Sequence, residues 1–135
     1  MRDLLAEAPP ASRVLLIYDV QSRWASRNVQ TGIQGRMDPI LALKEHHRAL
    51  MELGIQTDLK DMSVDLQKAD VDLVVCPEVF MYRDSFGERL RDYVRAGGNV
   101  LVTCFNGLMD EDGLCFTGHV PHAIHEALGI RDPDL

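Results

Sequence analysis

Hydrophobic residues in this chain fall into short continuous runs that alternate with longer amphipathic segments. One such run spans 14–18 and another spans 73–75, and each has the length of a strand. A strand that is covered on both faces needs continuous rather than alternating apolarity. These two runs therefore predict central strands of a parallel sheet.

Apolar positions three and four residues apart predict two helices. The first begins with Asp38 as N-cap and Pro39 at the first helical position, and it ends at Gly54. The second spans about 85–96 and ends at the Gly97-Gly98 pair. Weaker patterns predict short strands over 55–59, 99–104 and 114–118, a helical turn over 66–69, and a last helix over 121–128.

Strands and helices that alternate with short links predict an α/β fold. We expect a doubly wound, mostly parallel sheet with the flavodoxin-like strand order 2-1-3-4. The polar segment 19–36 has no sustained period, which predicts a long loop above the sheet. Long loops of this kind are commonly functional or form contacts.

Length and composition suit one domain with a single core, because the chain has 135 residues and 46% of them are hydrophobic. We expect this domain to span 13–135. Residues 1–12 are interrupted by Pro9-Pro10, and they are predicted to be a linker or the tail of a preceding domain.

Charge and cysteine usage limit the partners. A formal charge of −7 without a cluster of Lys and Arg argues against nucleic acid. No apolar run approaches the roughly 20 residues that span a bilayer, and the N-terminus lacks the apolar stretch of a secretory signal. We therefore expect a cytoplasmic protein with no membrane partner.

Three cysteines without a C-x-x-C spacing predict free thiols, and the lack of a glycine-rich phosphate motif predicts no cofactor.

Candidate chemistry lies just beyond the predicted strand ends, where open α/β sheets usually bind ligands. Asp19 follows the first strand and Glu78 follows the third, so the two carboxylates could act as an acid/base pair. Acids at such positions more often cap helices or bond loop amides, which is the alternative interpretation.

Cys104 follows the fourth strand and is a candidate nucleophile, with His119 or His122 as its activating base. Its neighbours Thr103 and Phe105 are larger than the small residues that flank a nucleophile elbow. An inert, packed thiol is the alternative, because cysteine is among the most buried residue types. The histidines lack a carboxylate or cysteine at matching spacing, so no metal site is predicted.

Two groups of residues are candidate contact surfaces. Trp24 is the only tryptophan and lies beside Arg23, and both residue types are enriched in protein interfaces. Phe80, Met81 and Tyr82 follow a buried strand, and three large apolar side chains are more than a loop needs unless something covers them. Burial against the same domain is the alternative for both groups.

An ordered set of motifs extends over about 13–130 and carries a family resemblance. The motifs are Arg13-Val-Leu-Leu-Ile-Tyr-Asp19 followed by Ser22 and Trp24, Gly54-Ile-x-x-Asp58, Leu73-Val-Val-Cys-Pro77, Leu90-x-x-Tyr-Val-x-x-Gly-Gly98, Thr103-x-x-Asn-Gly-Leu-Met-Asp110 and Ala127-Leu-Gly-Ile130. Together they resemble the middle, trimerisation domain of the glycoside hydrolase family 42 β-galactosidases. Their order and spacing are more specific than any single motif.

The resemblance implies a class I glutamine-amidotransferase-like fold of the flavodoxin type, assembly into a homotrimer, and loss of amidotransferase chemistry. In that family, two glutamates of an N-terminal (β/α)8 barrel cleave the galactoside, so neither is expected here. Residues 1–12 would be the end of that barrel and its linker. We therefore expect an excised or free-standing, non-catalytic domain of a carbohydrate-metabolising enzyme. Its partners would be its own copies and the barrel, and galactoside would be bound only through the parent enzyme.

Two positions depart from the family pattern. The first loop of the family often has D-x-x-S-W-W, whereas this chain has Asp19-Val-Gln-Ser-Arg-Trp24, in which Arg23 replaces one tryptophan. Cys104 falls where amidotransferase-like relatives carry their nucleophile, yet the family usually lacks a working thiol there. The resemblance thus implies an inert Cys104. A small amidotransferase-like hydrolase that uses Cys104 with His119 or His122 is the alternative hypothesis.

Overall fold

A computed structural model of the chain describes residues 12–28, 37–67, 70–114 and 128–129. Within these residues the fold has four strands and three helices. They follow the order β1 (Val14–Ile17), α1 (Val20–Asn28), α2 (Pro39–Glu52), β2 (Asp58–Lys60), β3 (Leu73–Cys76), α3 (Phe86–Arg95) and β4 (Asn99–Val102). The predicted α/β fold with a parallel sheet is confirmed.

The four strands form one parallel sheet in the order β2-β1-β3-β4, which is the predicted order. The two inner strands are almost completely buried, as their continuous apolar runs predict. Parallel pairing brings the carboxyl ends of all four strands to one edge of the sheet, which we call the upper edge. Loops that follow the strands therefore meet there.

The main core lies between one face of the sheet and α3. Leu15 and Val74 of the inner strands belong to the same buried cluster as Phe86 of α3. Burying a side chain of this size contributes about 1.5–3 kcal/mol. Tyr93 extends the cluster, and its hydroxyl donates a hydrogen bond of 2.9 Å to the Val71 carbonyl.

The opposite face of the sheet is covered by α2. The N-cap of this helix is Asp38, whose Oδ1 accepts a hydrogen bond of 3.0 Å from the Leu41 amide. Gly54 follows the helix with a φ of +74°, a conformation that favours glycine. Leu43 and Leu50 are partly buried against the inner strands. Both predicted ends of this helix are confirmed.

The predicted long loop over 19–36 is wrong for its first half, because residues 20–28 form α1. Only Ser22 of this helix is buried, so the helix has no apolar stripe from which a period could be recognised. Residues 29–36 lie outside the described part of the chain.

Weaker predictions differ in their bounds or fall outside the described residues. The second strand is Asp58–Lys60 rather than 55–59, and β4 ends at Val102 rather than at residue 104. Leu66 lies in a turn and packs into the core, while residues 68–69 are not described. Leu114 is not in a strand. Residues 115–118 of the predicted third weak strand lie outside the described residues. So do residues 121–127 of the predicted last helix over 121–128.

Gly98 allows close packing between the end of α3 and the start of β4. A Cβ atom at this position would overlap the ring of Tyr93. The ring would have to move, at the expense of its core contacts and its hydrogen bond to Val71. We expect Gly98→Ala to lower the free energy of unfolding by about 3 kcal/mol, measured by urea denaturation.

The neighbouring glycine provides a matched control. A Cβ atom on Gly97 would have nothing within 4 Å, so only the φ of +98° disfavours alanine there. Gly97→Ala should therefore cost about 1 kcal/mol. Equal losses from Gly97→Ala and Gly98→Ala would show that the Tyr93 ring does not impose the constraint.

Candidate functional site

Asp19 is the buried acid of the upper edge and lies directly beyond β1. Its side chain is 3% exposed, and its Oδ2 accepts hydrogen bonds from Nε (3.0 Å) and Nη2 (2.7 Å) of Arg83. Its Oδ1 accepts a hydrogen bond of 2.8 Å from the Ser22 amide, so the same carboxylate caps α1. The interpretation of Asp19 as a capping acid is therefore confirmed.

The ion pair ties α1 to the segment between β3 and α3. Arg83 also forms an ion pair with the exposed carboxylate of Asp84. Removing Arg83 would therefore be the more costly change, about 3–5 kcal/mol, because it would leave the buried Asp19 carboxylate without the guanidinium. Ser22 adds a second tie, since its Oγ accepts a hydrogen bond of 3.0 Å from the Met81 amide. Sequence reasoning missed Arg83, because the partner of this side chain lies 64 positions away and no local pattern marks it.

A further tie comes from the loop after β4. Asn106 is buried, and its Nδ2 donates a hydrogen bond of 2.8 Å to the Cys76 carbonyl while its Oδ1 accepts one of 3.2 Å from the Val79 amide. The Oγ of Thr103 accepts a hydrogen bond of 2.8 Å from the Glu78 amide. Polar groups beyond β4 thus satisfy the backbone of the turn beyond β3.

Glu78 occupies this turn in a left-handed conformation, with a φ of +50°. Burial raises the pKa of the Glu78 carboxyl, while a hydrogen bond from the Asp38 amide and the nearby His46 oppose that shift. Within the described residues, Glu78 Oε2 is buried and accepts no hydrogen bond. The carboxylates of Glu78 and Asp19 therefore have different partners, and no contact joins them as an acid/base pair.

Cys104 lies in the turn after β4 and is exposed. The prediction of a packed thiol is therefore wrong, because Cys104 is exposed in the turn that follows the end of β4 at Val102. The prediction that the thiol is inert stays a prediction. No described residue forms a hydrogen bond with its sulfur. His119 and His122, the proposed bases, lie outside the described residues. The pairing of Cys104 with either imidazole stays a prediction.

Cys76 differs from Cys104 in its surroundings. It is fully buried at the end of β3, and burial raises the pKa of its thiol to about 12. Tyr82 lies beside this thiol and partly offsets the rise, and burial raises the pKa of Tyr82 as well. A thiol in this position is protonated at neutral pH and unreactive.

Phe80, Met81 and Tyr82 are buried within the chain, at 7% exposure or less. Tyr82 packs edge-to-face on Phe86 with ring centroids 5.2 Å apart. The interpretation of these three side chains as an exposed contact surface is therefore corrected to burial against their own domain. Their burial accounts for their apolar character.

The other predicted contact residues lie on α1. Trp24 is 60% exposed, and Arg23 is partly exposed beside it. Val20, one turn earlier, is also exposed. An indole with this much free surface on a helix fixed at its N-terminus is suited to contact with another molecule.

The described part of the chain contains neither a cluster of metal-ligating side chains nor a membrane-spanning helix. Within it, no three His, Cys, Asp or Glu side chains converge as metal ligands. Among its helices, none is long and apolar enough to cross a membrane.

Comparison with known proteins identifies relatives over almost the whole chain. A β-galactosidase of Clostridium perfringens is 34% identical over 123 residues, which are 91% of this chain and 18% of that protein. A crystal structure of a β-galactosidase from Rahnella sp. R3 superposes with a TM-score of 0.80 at 33% identity, over 87% of this chain and 17% of that chain. A crystal structure of a β-galactosidase from Bacillus circulans sp. alkalophilus superposes with a TM-score of 0.78 at 27% identity, over 92% of this chain and 18% of that chain.

The chain thus spans less than a fifth of the length of these relatives. The matched portion is described by one family model, the β-galactosidase trimerisation domain, which covers residues 12–134. The recognised motifs, which extend over about 13–130, lie within this match. The chain therefore belongs to the family of β-galactosidase trimerisation domains found in glycoside hydrolase family 42 enzymes.

Proposed function

We propose that this chain is the assembly domain of a β-galactosidase, that it forms a homotrimer, and that it has no catalytic centre of its own. The observation that carries the proposal is the family match over residues 12–134. The upper edge supports it, because Asp19 is engaged in an ion pair and a helix cap rather than in chemistry. The exposed indole of Trp24 supports a role in contact.

The fold is proposed in finer detail as flavodoxin-like, of the class I glutamine-amidotransferase type. The strand order β2-β1-β3-β4 is consistent with that type. We assign residues 13–135 to the domain and residues 1–12 to a linker from a preceding domain, since Pro9-Pro10 interrupts the latter.

The partners are proposed to be other copies of the chain and the catalytic barrel of the parent enzyme. Galactoside would then be bound by the barrel, and this domain would affect hydrolysis only by organising the barrels around one another. We place the protein in the cytoplasm, in keeping with three cysteines that follow no disulfide or zinc spacing.

Self-association is tested directly by the molar mass in solution. Light scattering over a series from micromolar to millimolar chain concentration should give three times the mass of one chain at the upper end. It should fall toward a single chain on dilution, because assembly follows mass action. A single-chain mass at every concentration would contradict assembly by this domain.

The alternative function, a small hydrolase that uses Cys104 with His119 or His122, is favoured only by the exposure of that thiol. As an ordinary exposed thiol, Cys104 should react with an aromatic disulfide at neutral pH at the rate of a peptide thiol. Cys76 should stay unreactive until the chain unfolds, because burial raises its pKa to about 12.

The rate at which Cys104 reacts with the disulfide is the rate of the fast phase that is lost in Cys104→Ser. A fast phase more than about tenfold above that of a peptide thiol would indicate an activated thiolate and would support the hydrolase. Loss of this acceleration in His119→Ala or His122→Ala would identify the base.

A further inference from the structure

We infer that the exposed face of α1 in one chain docks on the acidic turn 110–114 of a second copy, and that the contact is repeated around a threefold axis. The inference rests on the proposed trimerisation and names the two surfaces that meet. The first surface is the α1 face, defined by Val20, Arg23, Trp24 and Arg27. The second is the acidic turn, defined by residues 110–114.

The α1 face combines an apolar centre with positive charge. Val20 and Trp24 lie one helical turn apart and are 46% and 60% exposed. Arg23 and Arg27 lie on the same helix, which has no acidic residue. Neither guanidinium forms an ion pair with any other residue that the structure describes. Tryptophan and arginine are the side chains that most often carry the binding energy of an interface.

The acidic turn has the complementary character. Glu111 and Asp112 are exposed, and Leu114 beside them is 65% exposed. Asp110 holds the turn in shape, because its Oδ1 accepts hydrogen bonds from the Asp112 amide (3.1 Å) and the Leu114 amide (2.9 Å). The Glu111 carboxylate is also held in place, since its Oε2 accepts a hydrogen bond of 3.1 Å from the Asp84 amide. The turn therefore presents the Asp112 carboxylate, the remaining oxygen of Glu111 and the Leu114 side chain with little further ordering, which lowers the entropic cost of binding.

Charge favours a second copy of this chain as the occupant of the α1 face. The chain carries a formal charge of −7, so two copies repel each other unless a positive surface of one faces a negative surface of the other. The α1 face is such a positive surface, and the acidic turn offers carboxylates that form no ion pair within the described residues. The apolar groups Trp24 and Leu114 can then be buried against each other.

The number of chains decides how the surfaces meet. A closed ring of three requires a heterologous contact, in which two different surfaces of each chain are used. The α1 face and the acidic turn are two such surfaces, and both are anchored to Met81. Ser22 Oγ of α1 accepts a hydrogen bond from the Met81 amide, and Met81 bridges Met109 just before the acidic turn. The angle between the surfaces is therefore fixed, as ring closure demands.

A charge exchange tests the pairing. Arg27→Glu and Asp112→Arg should each raise the concentration at half-assembly by about tenfold, since each replaces attraction with repulsion. The double variant Arg27→Glu with Asp112→Arg should recover at least half of the summed change in the logarithm of the half-assembly concentration. Lys44→Glu is the matched control for Arg27→Glu, because it lowers the net charge by the same two units on an exposed position of α2 and should leave assembly unchanged.

Cross-linking tests the heterologous geometry independently, in a background with Cys104→Ser and Cys115→Ser. Both changes remove an apolar side chain of the contact, so the variants are cross-linked at a chain concentration at which light scattering shows them to be assembled. There a mixture of Trp24→Cys chains and Leu114→Cys chains should form a covalent dimer with a short bismaleimide, and neither variant should do so alone. A chain that carries both changes should give covalent trimers. Circular dichroism of each variant checks that it is folded.

The outcomes separate this inference from the proposed function. If the unmodified chain is monomeric, both fail. If it is trimeric but the charge variants behave like Lys44→Glu, or Trp24→Cys chains cross-link with each other, the trimer stands and the α1 face with the acidic turn is not its interface.

Discussion

The buried contact between Asp19 and Arg83 determines how the loops of the upper edge are arranged. One carboxylate both caps α1 and neutralises a guanidinium that is largely withdrawn from solvent. Because the two residues come from loops after different strands, the pair fixes α1 against the segment that precedes α3. Without it, a helix that buries only Ser22 would have little to hold it to the sheet.

The same edge illustrates how a sheet suited to chemistry can serve structure instead. In open α/β sheets the groups beyond the strand ends are those that bind ligands. Here Asp19, Thr103 and Asn106 satisfy backbone amides or a neighbouring charge, and Cys76 is kept protonated by burial. Among the described residues, Trp24 on α1 and the Cys104 thiol in the turn after β4 stay exposed near this edge.

The sequence predicts those elements whose residues contribute to the core in a regular pattern. The runs at β1 and β3, and the capped helix that follows Asp38, are found where periodicity and capping place them. The helix α1 is missed because its stability comes from distant hydrogen bonds, which leave no period. The burial of Phe80–Tyr82 could not be told from exposure, since both need large apolar residues. The strand-end position of Asp19 was predictable, but its partner Arg83 was not, because no local rule links residues 64 positions apart.

Hydrogen–deuterium exchange at low and high chain concentration tests most directly whether the upper edge acts as a docking surface. If it does, the amides of 20–28 and 110–114 should exchange more slowly in the concentrated sample, because docking covers both segments at once. The amides of β1 and β3 should exchange at rates that follow overall stability alone. Slower exchange on other surfaces, with unchanged exchange at the amides of 20–28 and 110–114, would contradict docking at the upper edge.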